Sequence, residues 1–271
     1  MPQILIPTGA SKFNDPQNYP WTMPFWPSYA LEQQTYLDHI LKTKPDAKIA
    51  VLYANDDYGR DHLAGFKAAL AAKPGAQVSV VAEAGYETSE PTIHSQMVKL
   101  KSSGADVLIS ATTPKFAAQA IKKAHELGWK PLQFVANASS SITTVLTPAG
   151  LDASVGAITG AFLKSINAPD QQDDEIRAYY DFMRTWIPKD NPQDFYAIVS
   201  YVNSHMPRHV LEAYGDDLTR ENLMRQVANI HDVRLPLHLA KVVLKTTPTD
   251  FAAFRSLQLQ QFDGKKWANV D

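Results

Sequence analysis

Polar residues follow several apolar runs of this chain, at the points where predicted strands end. The run Ile49–Tyr53 is followed by Asn55-Asp-Asp-Tyr-Gly59, Val107–Ser110 by Thr112 and Thr113, and Leu132–Val135 by Asn137. In open parallel sheets, ligands bind at the loops that follow the carboxyl ends of the strands. Asp56 and Asp57 are typical of turns and helix caps rather than of a catalytic pair of carboxylates. The row of loops therefore predicts a binding site for a small ligand.

The residue types that catalysis or metal binding would need are missing or poorly placed. The chain has no cysteine, which removes thiol chemistry, disulfides and Cys-ligated zinc. His205 and His209 have i, i+4 spacing, but Pro207 between them would distort a helix and no third ligand is near in sequence. No G-x-S-x-G, P-loop or strand-linked G-x-G-x-x-G motif is present. We therefore predict no enzyme, no metal site and no cofactor.

Length and composition indicate a globular protein of one large or two modest domains. The chain has 271 residues, 45% of them hydrophobic and 20% charged, with a formal net charge of -2. That charge gives no reason to expect nucleic acid as a partner. No apolar stretch approaches the roughly 20 residues needed to cross a bilayer. The start, Met1 to Pro7, lacks the basic and apolar regions of a signal peptide, so we expect a truncated chain that begins at an interior strand, Gln3–Ile6.

Strand and helix patterns alternate through the first half of the chain. Ser28 is placed to cap a first helix that ends at Lys44-Pro45-Asp46. The predicted strands are Ile49–Tyr53, Val78–Ala82, Val107–Ser110, Leu132–Val135 and Gly156–Phe162, and helices are predicted at 60–72, 91–102, 114–127 and near 140–147. This alternation predicts a parallel sheet with right-handed crossovers.

The second half is mainly helical before strands return. Helices are predicted over Asp174–Trp186, Phe195–Tyr214 and 220–230, the last capped by Thr219. Extended segments follow at Ala240–Lys245 and Leu257–Phe262, and Asp263-Gly264 predicts a hairpin. The chain is thus expected to leave an α/β lobe, pass through a helical region and come back.

Several stretches together resemble the type I periplasmic solute-binding proteins of ABC transporters, the class related to the branched-chain amino-acid receptors and leucine-binding proteins. They are Pro2-Gln-Ile-Leu-Ile-Pro-Thr-Gly-Ala-Ser11, Trp21-Thr-Met, Pro45-Asp-Ala-Lys-Ile-Ala-Val-Leu-Tyr53, Asn55-Asp-Asp-Tyr-Gly59, Thr112-Thr-Pro-Lys-Phe-Ala-Ala-Gln-Ala-Ile121, Gly215-Asp-Asp-Leu-Thr-Arg-Glu-Asn222 and Thr247-Pro-Thr-Asp-Phe251. Each motif is weak alone, but in combination they run from one end of the chain to the other.

The resemblance implies an α/β fold of two Rossmann-like lobes with parallel sheets, which close on ligand. It implies that 1–27 are a remnant of lobe one and the first crossing, 28–164 lobe two, 165–237 a helical return to lobe one, and 238–271 the closing strands of lobe two. Most of the N-terminal half of lobe one, roughly a hundred residues on domain-size grounds, is expected to be missing, so the first lobe is incomplete. The family is periplasmic, whereas this chain expressed as given would stay in the cytoplasm.

The resemblance also assigns ligand-binding residues in lobe one. Ala10 and Ser11 match positions where hydroxyl and backbone N–H groups hold a ligand carboxylate, which needs several convergent donors. The alternative is a solvated serine in a Gly-Ala-Ser turn. Trp21 belongs to an aromatic belt with Phe25, Trp26 and Tyr29 that either lines a pocket for a ring or acyl chain or packs a hinge.

In lobe two, Tyr58 matches a position where relatives place an aromatic ring over the ligand. Its alternative role is to pack the loop onto the next helix. Thr112 and Thr113 match another ligand contact, and Thr113 is also placed to cap a helix that begins at Pro114. Near Asn137, amino-acid-binding relatives carry an acidic residue that pairs with the ligand ammonium. This chain has no carboxylate in Ala136-Asn-Ala-Ser-Ser140, so we expect a carboxylate ligand without an amine.

The function implied is that of an extracytoplasmic receptor that captures a small carboxylate-bearing solute between two lobes and delivers it to the permease subunits of an ABC transporter. The ligand is an amino acid or, as preferred here, an aromatic or aliphatic acid. A sensor domain of the same fold, a truncated chain without activity of its own, and a Rossmann-like enzyme are the alternatives. The unpaired edge of strand Gln3–Ile6 also leaves self-association through lobe one open.

Overall fold

The predicted alternation of strands and helices is present in the computed structural model, which describes residues 1–166 and 173–270. The chain forms two units. Unit 1 comprises Met1–Ser28 and Phe162–Gln258, and unit 2 comprises Tyr29–Ala161 and Leu259–Asp271. Each unit therefore contains two separate stretches of the chain. Within the described residues, no helix is long and apolar enough to cross a membrane.

Unit 2 is an α/β unit built around one sheet. Its strands are β3 (Lys48–Ala54), β4 (Ser79–Tyr86), β5 (Val107–Ala111), β6 (Leu132–Val135), β7 (Ile158–Ala161), β8 (Gln258–Phe262, which starts at the last residue of unit 1) and β9 (Trp267–Asn269). Its helices are α1 (Tyr29–Thr43), α2 (Asp57–Ala71), α3 (His94–Ser102), α4 (Pro114–Glu126), α5 (Thr147–Ala149) and α6 (Leu151–Ser154). A 3-10 turn at Asn137–Ser139 and a π-helical turn at Ile142–Leu146 follow β6.

Among the described residues, the sheet order is β4-β3-β5-β6-β7-β8-β9, and the pairs from β4 to β7 are parallel. Both faces of the sheet are covered, which explains why the strands are continuous apolar runs. In β3, Ile49 and Val51 pack into a core with Tyr36 and Phe66, whereas the alternating residues belong to a core on the other face. The closing strands β8 and β9 are antiparallel, as the Asp263-Gly264 hairpin signal predicts.

Unit 1 combines a small sheet with helices. Strand β1 (Gln3–Ile6) pairs in parallel with β2 (Thr22–Pro24). The helices are α7 (Asp174–Trp186), α8 (Phe195–Asn203), α9 (His205–Tyr214) and α10 (Arg220–Val227). Part of the core is aromatic: the Phe254 ring lies 5.3 Å from the Phe25 ring and 5.2 Å from the Phe162 ring.

Two predicted helices of unit 1 were wrong in detail. The single helix Phe195–Tyr214 is divided at Ser204, because Pro207 has no N–H to continue the helix and is tolerated only in the first turn of the next one. The helix predicted at 220–230 ends at Val227, and the backbone N–H of Ile230 instead bonds to the Thr246 hydroxyl at 2.9 Å. Its cap is as expected, since Thr219 Oγ1 accepts a hydrogen bond from the N–H of Asn222.

The segment Ala240–Lys245 is not a regular strand. It forms one isolated antiparallel bridge, between Leu244 and Phe254. The adjoining N–H of Thr246 donates to the carbonyl of Ile230, so the backbone leaves the pairing after a few residues. Residues 238–258 consequently group with unit 1. This assignment differs from the predicted domain division, which gave all of 238–271 to the second lobe, and the other predicted boundaries stay predictions.

Gly59 sets how closely α2 follows β3. A Cβ atom added at Gly59 would lie 2.1 Å from the carbonyl oxygen of Ala54 and 2.5 Å from its nitrogen. Such distances are far inside van der Waals contact, and the clashing atoms are backbone atoms that cannot rotate away. The absence of a side chain thus lets the helix begin with only two residues between it and the strand, and Tyr58 lies in its first turn.

We expect Gly59→Ala to lower the free energy of unfolding by about 2 kcal/mol, because overpacking against fixed backbone, at about 3 kcal/mol, outweighs the gain of roughly 1 kcal/mol in helix propensity. Urea unfolding of parent and variant measures the difference. Ala64→Gly, at an exposed position of the same helix, is the matched control and should cost only the propensity difference. A Gly59→Ala variant as stable as the parent would show that β3 and α2 can separate without penalty.

Candidate functional site

The carboxyl ends of β3, β5 and β6 lie side by side at one edge of the unit 2 sheet. Parallel pairing places them there, and the residues that follow each strand are in contact. The Tyr58 hydroxyl lies 3.4 Å from the carbonyl oxygen of Thr112, and Ser139 Oγ donates to the same oxygen at 2.5 Å. The structure thus brings Tyr58, Thr112 and the Asn137–Ser139 turn together at this edge. Their role in ligand binding stays a prediction.

Tyr58 is held in place by the start of helix α2. Asp56 is the N-cap, and its Oδ1 accepts a hydrogen bond of 3.0 Å from the N–H of Gly59, as expected for a capping carboxylate. The half-buried Tyr58 ring makes edge contacts with the rings of Tyr29, at 5.1 Å, and His62, at 4.8 Å. The phenol is therefore fixed on one side by aromatic packing and reaches toward β5 with its hydroxyl.

His62 supports this arrangement and was missed at the sequence level. Its ring stacks on Tyr29 with centroids 4.4 Å apart, and Gln33 Nε2 lies 2.9 Å from its Nδ1. Burial lowers the pKa of His62 to about 3, so the ring is uncharged at neutral pH. One turn of helix separates Tyr58 from His62, and this i, i+4 spacing is the only sequence signal that links them.

Thr112 and Thr113 differ in exposure and in partners. Thr112 is fully buried, and its hydroxyl lies 3.3 Å from that of Ser110. Thr113 occupies the N-cap position before Pro114, but its hydroxyl makes no capping bond to the helix, so that prediction was wrong for the side chain. The Thr113 N–H instead donates to the Tyr86 hydroxyl at 2.9 Å, and the Thr113 hydroxyl lies 3.4 Å from the same oxygen. The Thr113 hydroxyl therefore contacts Tyr86 and not the backbone of the helix.

Asn137 begins the 3-10 turn after β6 and is buried. Its Nδ2 donates to the carbonyl of Gly160 at 2.7 Å, while its buried Oδ1 has no hydrogen-bond partner among the residues that the structure describes. Its backbone N–H donates to Glu32 Oε1 at 2.7 Å. Glu32 was also missed at the sequence level, because it lies 105 residues earlier, in helix α1. Burial raises the pKa of the Glu32 carboxyl to about 7, although its hydrogen bonds from Tyr36 and Asn137 lower it.

In unit 1, the predicted residues lie in the turns that join β1 to β2. Ala10 is extended, and its N–H donates to the Thr8 hydroxyl at 3.2 Å, while its carbonyl accepts from the N–H of Phe13. Ser11 is exposed and starts the 3-10 turn Ser11–Phe13. Trp21 is half-buried next to β2, and its carbonyl accepts from the N–H of Gln3 at 2.7 Å. Ala10 and Ser11 are neighbours, and Trp21 lies at the opposite end of the connection.

The predicted aromatic belt does not form one surface. Phe25 and Trp26 are buried in the core of unit 1, where the Trp26 ring lies 5.5 Å from Phe162 and 6.0 Å from Phe195. Tyr29 is buried in unit 2 against Tyr58 and His62. These three rings pack the interior of their own units. Of the predicted belt, Trp21 alone keeps substantial exposure.

The chemistry that this edge of unit 2 offers is uncharged hydrogen bonding. Its groups are a phenol, threonine and serine hydroxyls and a carboxamide, which can donate and accept hydrogen bonds. Within residues 1–166 and 173–270, no group of three or more His, Asp or Glu residues is arranged to hold a metal ion. The arrangement suits recognition of a small solute.

Comparison with known proteins agrees with the architecture. The sequence profile of the family described as periplasmic binding protein matches residues 3–266. Among curated proteins, none matches the chain. A crystal structure of a branched-chain amino acid ABC transporter protein from Thermus thermophilus with bound valine superposes with a TM-score of 0.81 at 17% identity, covering 100% of this chain and 71% of that one.

Two further crystal structures are similar to the same extent. A substrate-binding periplasmic protein from Ralstonia solanacearum has a TM-score of 0.79 at 18% identity, covering 99% of this chain and 73% of its own. A possible leucine/isoleucine/valine-binding protein from Rhodopirellula baltica has a TM-score of 0.79 at 16% identity, covering 100% and 71%. These likenesses confirm the predicted α/β type I fold. With the profile match over nearly the whole chain, they show that this protein belongs to the periplasmic binding protein family.

Proposed function

We propose that this protein is the solute-binding component of an ABC transporter, which captures a small carboxylate-bearing ligand and delivers it to the permease in the membrane. The observation that carries the proposal is the juxtaposition of Tyr58, Thr112 and Asn137 at the carboxyl edge of a parallel sheet, where such sheets bind ligands. Membership of the family supports a binding role and a periplasmic location.

The proposed ligand is an aromatic or aliphatic acid without an α-amine. The similar protein from Thermus thermophilus holds valine, an amino acid. In this chain the 3-10 turn after β6 begins with the neutral Asn137, and the nearby carboxyl of Glu32 contacts the Tyr36 hydroxyl and the backbone N–H of Asn137 through Oε1. A ligand ammonium placed here would lack a free counter-charge, and burying such a charge is costly.

The carboxylate end of the ligand is assigned to unit 1. Ser11 is exposed and begins the 3-10 turn Ser11–Phe13. Its hydroxyl is proposed as one of the several convergent donors that a carboxylate needs. The N–H of Ala10 already donates to the Thr8 hydroxyl. Ala10 is therefore proposed to contribute to the site by the position of its backbone and not as a donor to the ligand. Trp21 is the aromatic side chain of this unit proposed to cover an apolar part of the ligand.

Capture would follow from a population shift. A ligand that binds one conformation of the protein more tightly than another raises the population of that conformation. The permease would then recognise the loaded form. A further proposal is self-association through backbone pairing, because among the described residues β1 pairs with β2 alone and the open edge of a strand can template a second strand.

The ligand class is tested with pairs of compounds that differ only in the amine. We expect 4-methylpentanoate to raise the melting temperature more than leucine, and 3-phenylpropanoate more than phenylalanine, because the acids carry no ammonium to desolvate. At a hundred times its dissociation constant, a ligand adds about 2.7 kcal/mol of stability, which a thermal-shift assay detects. A clear preference for leucine would refute the ligand class but keep the receptor function.

Tyr58 is tested by two substitutions. We expect Tyr58→Ala to weaken binding of the best compound in that panel by about tenfold, since a ring over the ligand contributes roughly 1 kcal/mol or more. Tyr58→Phe keeps the ring contacts with Tyr29 and His62 and should lose less affinity. Isothermal titration calorimetry gives the dissociation constants, and melting temperatures check the fold. If Tyr58→Ala binds as the parent does, the ring serves packing alone.

A further inference from the structure

A buried carboxyl ties the first helix of unit 2 to the candidate site. Glu32 lies in the first turn of α1 and is 1% exposed. Its Oε1 lies 2.5 Å from the Tyr36 hydroxyl and 2.7 Å from the backbone nitrogen of Asn137. Tyr36 and Asn137 both contact the same oxygen of Glu32. The position of the Asn137 turn is therefore coupled to the protonation state of this carboxyl.

The Tyr36 hydroxyl has more acceptors around it than protons to give. It lies 2.5 Å from Glu32 Oε1 and 2.9 Å from the carbonyl oxygen of Val135, and it accepts the N–H of Gly160 at 3.2 Å. A phenol carries one proton, which can serve only one of the two oxygens. If Glu32 were ionised, that proton would go to the carboxylate, and the phenol and Val135 oxygens would face each other without a proton between them.

A proton on Glu32 completes the network. The carboxyl then donates to the Tyr36 oxygen, Tyr36 donates to Val135, and the remaining lone pair of Oε1 accepts the N–H of Asn137. Each short contact acquires one proton, and no buried charge remains, which removes a large desolvation cost.

The surroundings of Glu32 favour the same neutral state. Tyr36 is the titratable group that contacts it, and the contacts from the β6 and β7 sides are the uncharged Val135, Asn137 and Gly160. Among the described residues, no lysine, arginine or histidine forms an ion pair with it. Burial raises the pKa of Tyr36 well above its ordinary value, so the phenol keeps its own proton.

We propose that Glu32 is a protonated positioning residue, whose neutral carboxyl links α1 to the ends of β6 and β7 and fixes the Asn137 turn for ligand binding. The protonation of Glu32 stands independently of what the protein binds. The last clause, that the turn meets ligand, rests on the proposed function.

The sign of the resulting pH dependence follows from linkage. The pKa of Glu32 is raised to about 7 in the folded chain, against about 4.3 for an unfolded glutamate. Between these values the folded state holds a proton that the unfolded state has released, so stability falls as pH rises. The favourable contribution is fully present below the unfolded pKa and is lost as pH rises through the folded pKa.

The test compares the parent with Glu32→Gln, which is neutral at every pH and keeps an oxygen for the N–H of Asn137. From pH 5 to pH 8, the unfolding equilibrium constant of the parent relative to Glu32→Gln should rise roughly a hundredfold. Asp38→Asn, an exposed acid-to-amide change on the same helix, should follow the pH dependence of the parent. A ratio that stays flat, or falls with pH, would show that the folded chain holds Glu32 ionised and would overturn the proposal.

Two measurements keep the test decisive if a variant folds poorly. The side-chain carboxyl carbon of Glu32 in the parent, assigned by its loss in Glu32→Gln, should titrate by NMR near pH 7. A midpoint below about pH 5 contradicts a protonated Glu32. Amide exchange at Asn137 should quicken in Glu32→Ala and be restored in Glu32→Gln, and unchanged protection in Glu32→Ala would refute the positioning role. All these readouts use ligand-free protein, so they separate failure of this proposal from failure of the ligand screen.

Discussion

The constraint on which unit 2 depends is that its parallel sheet is buried on both faces. The strands of such a sheet carry mostly apolar side chains, so polar side chains collect where the strands end. Because parallel strands run the same way, their carboxyl ends share one edge, and residues distant in sequence become neighbours there. Tyr58 and Thr112 meet for this reason, at 3.4 Å. The short β3–α2 connection depends on the missing side chain of Gly59, which admits the helix directly behind the strand.

The polar groups at this edge are linked to the interior by hydrogen bonds, and the linked groups carry little charge. His62 is kept neutral by burial, with a pKa of about 3, and it stacks on Tyr29 behind the Tyr58 ring. Glu32 has a raised pKa and lies behind Asn137. A neutral support has a physical advantage: burying a charge behind a binding surface would cost free energy and would bias the surface toward ions of one sign.

Local patterns in the sequence predict most of unit 2, because strand period, helix period and capping residues act over a few positions. The α4 helix beginning at Pro114 and the Asp263-Gly264 hairpin follow from such signals. Contacts over long distances leave no such trace. Glu32 bonds to a residue 105 positions away, and nothing near it in sequence indicates that meeting. The segment around Leu244 was predicted as a strand for the same reason, but it forms a single bridge. The length of a strand depends on the residues that pair with it, and these are not visible in the strand's own sequence.

The same limit affects how an absent carboxylate near Asn137 is interpreted. From the sequence, the lack of an acid in the segment after β6 predicts a ligand without an ammonium group. The structure does place a carboxyl next to Asn137, but a carboxyl in contact with the backbone is not equivalent to a free negative charge. Glu32 Oε1 already has two hydrogen-bonding neighbours, and burial favours its neutral form. Whether Glu32 adds a charge beside Asn137 therefore depends on its protonation rather than on the presence of a carboxyl, and the proposed ligand without an amine requires the neutral form of Glu32.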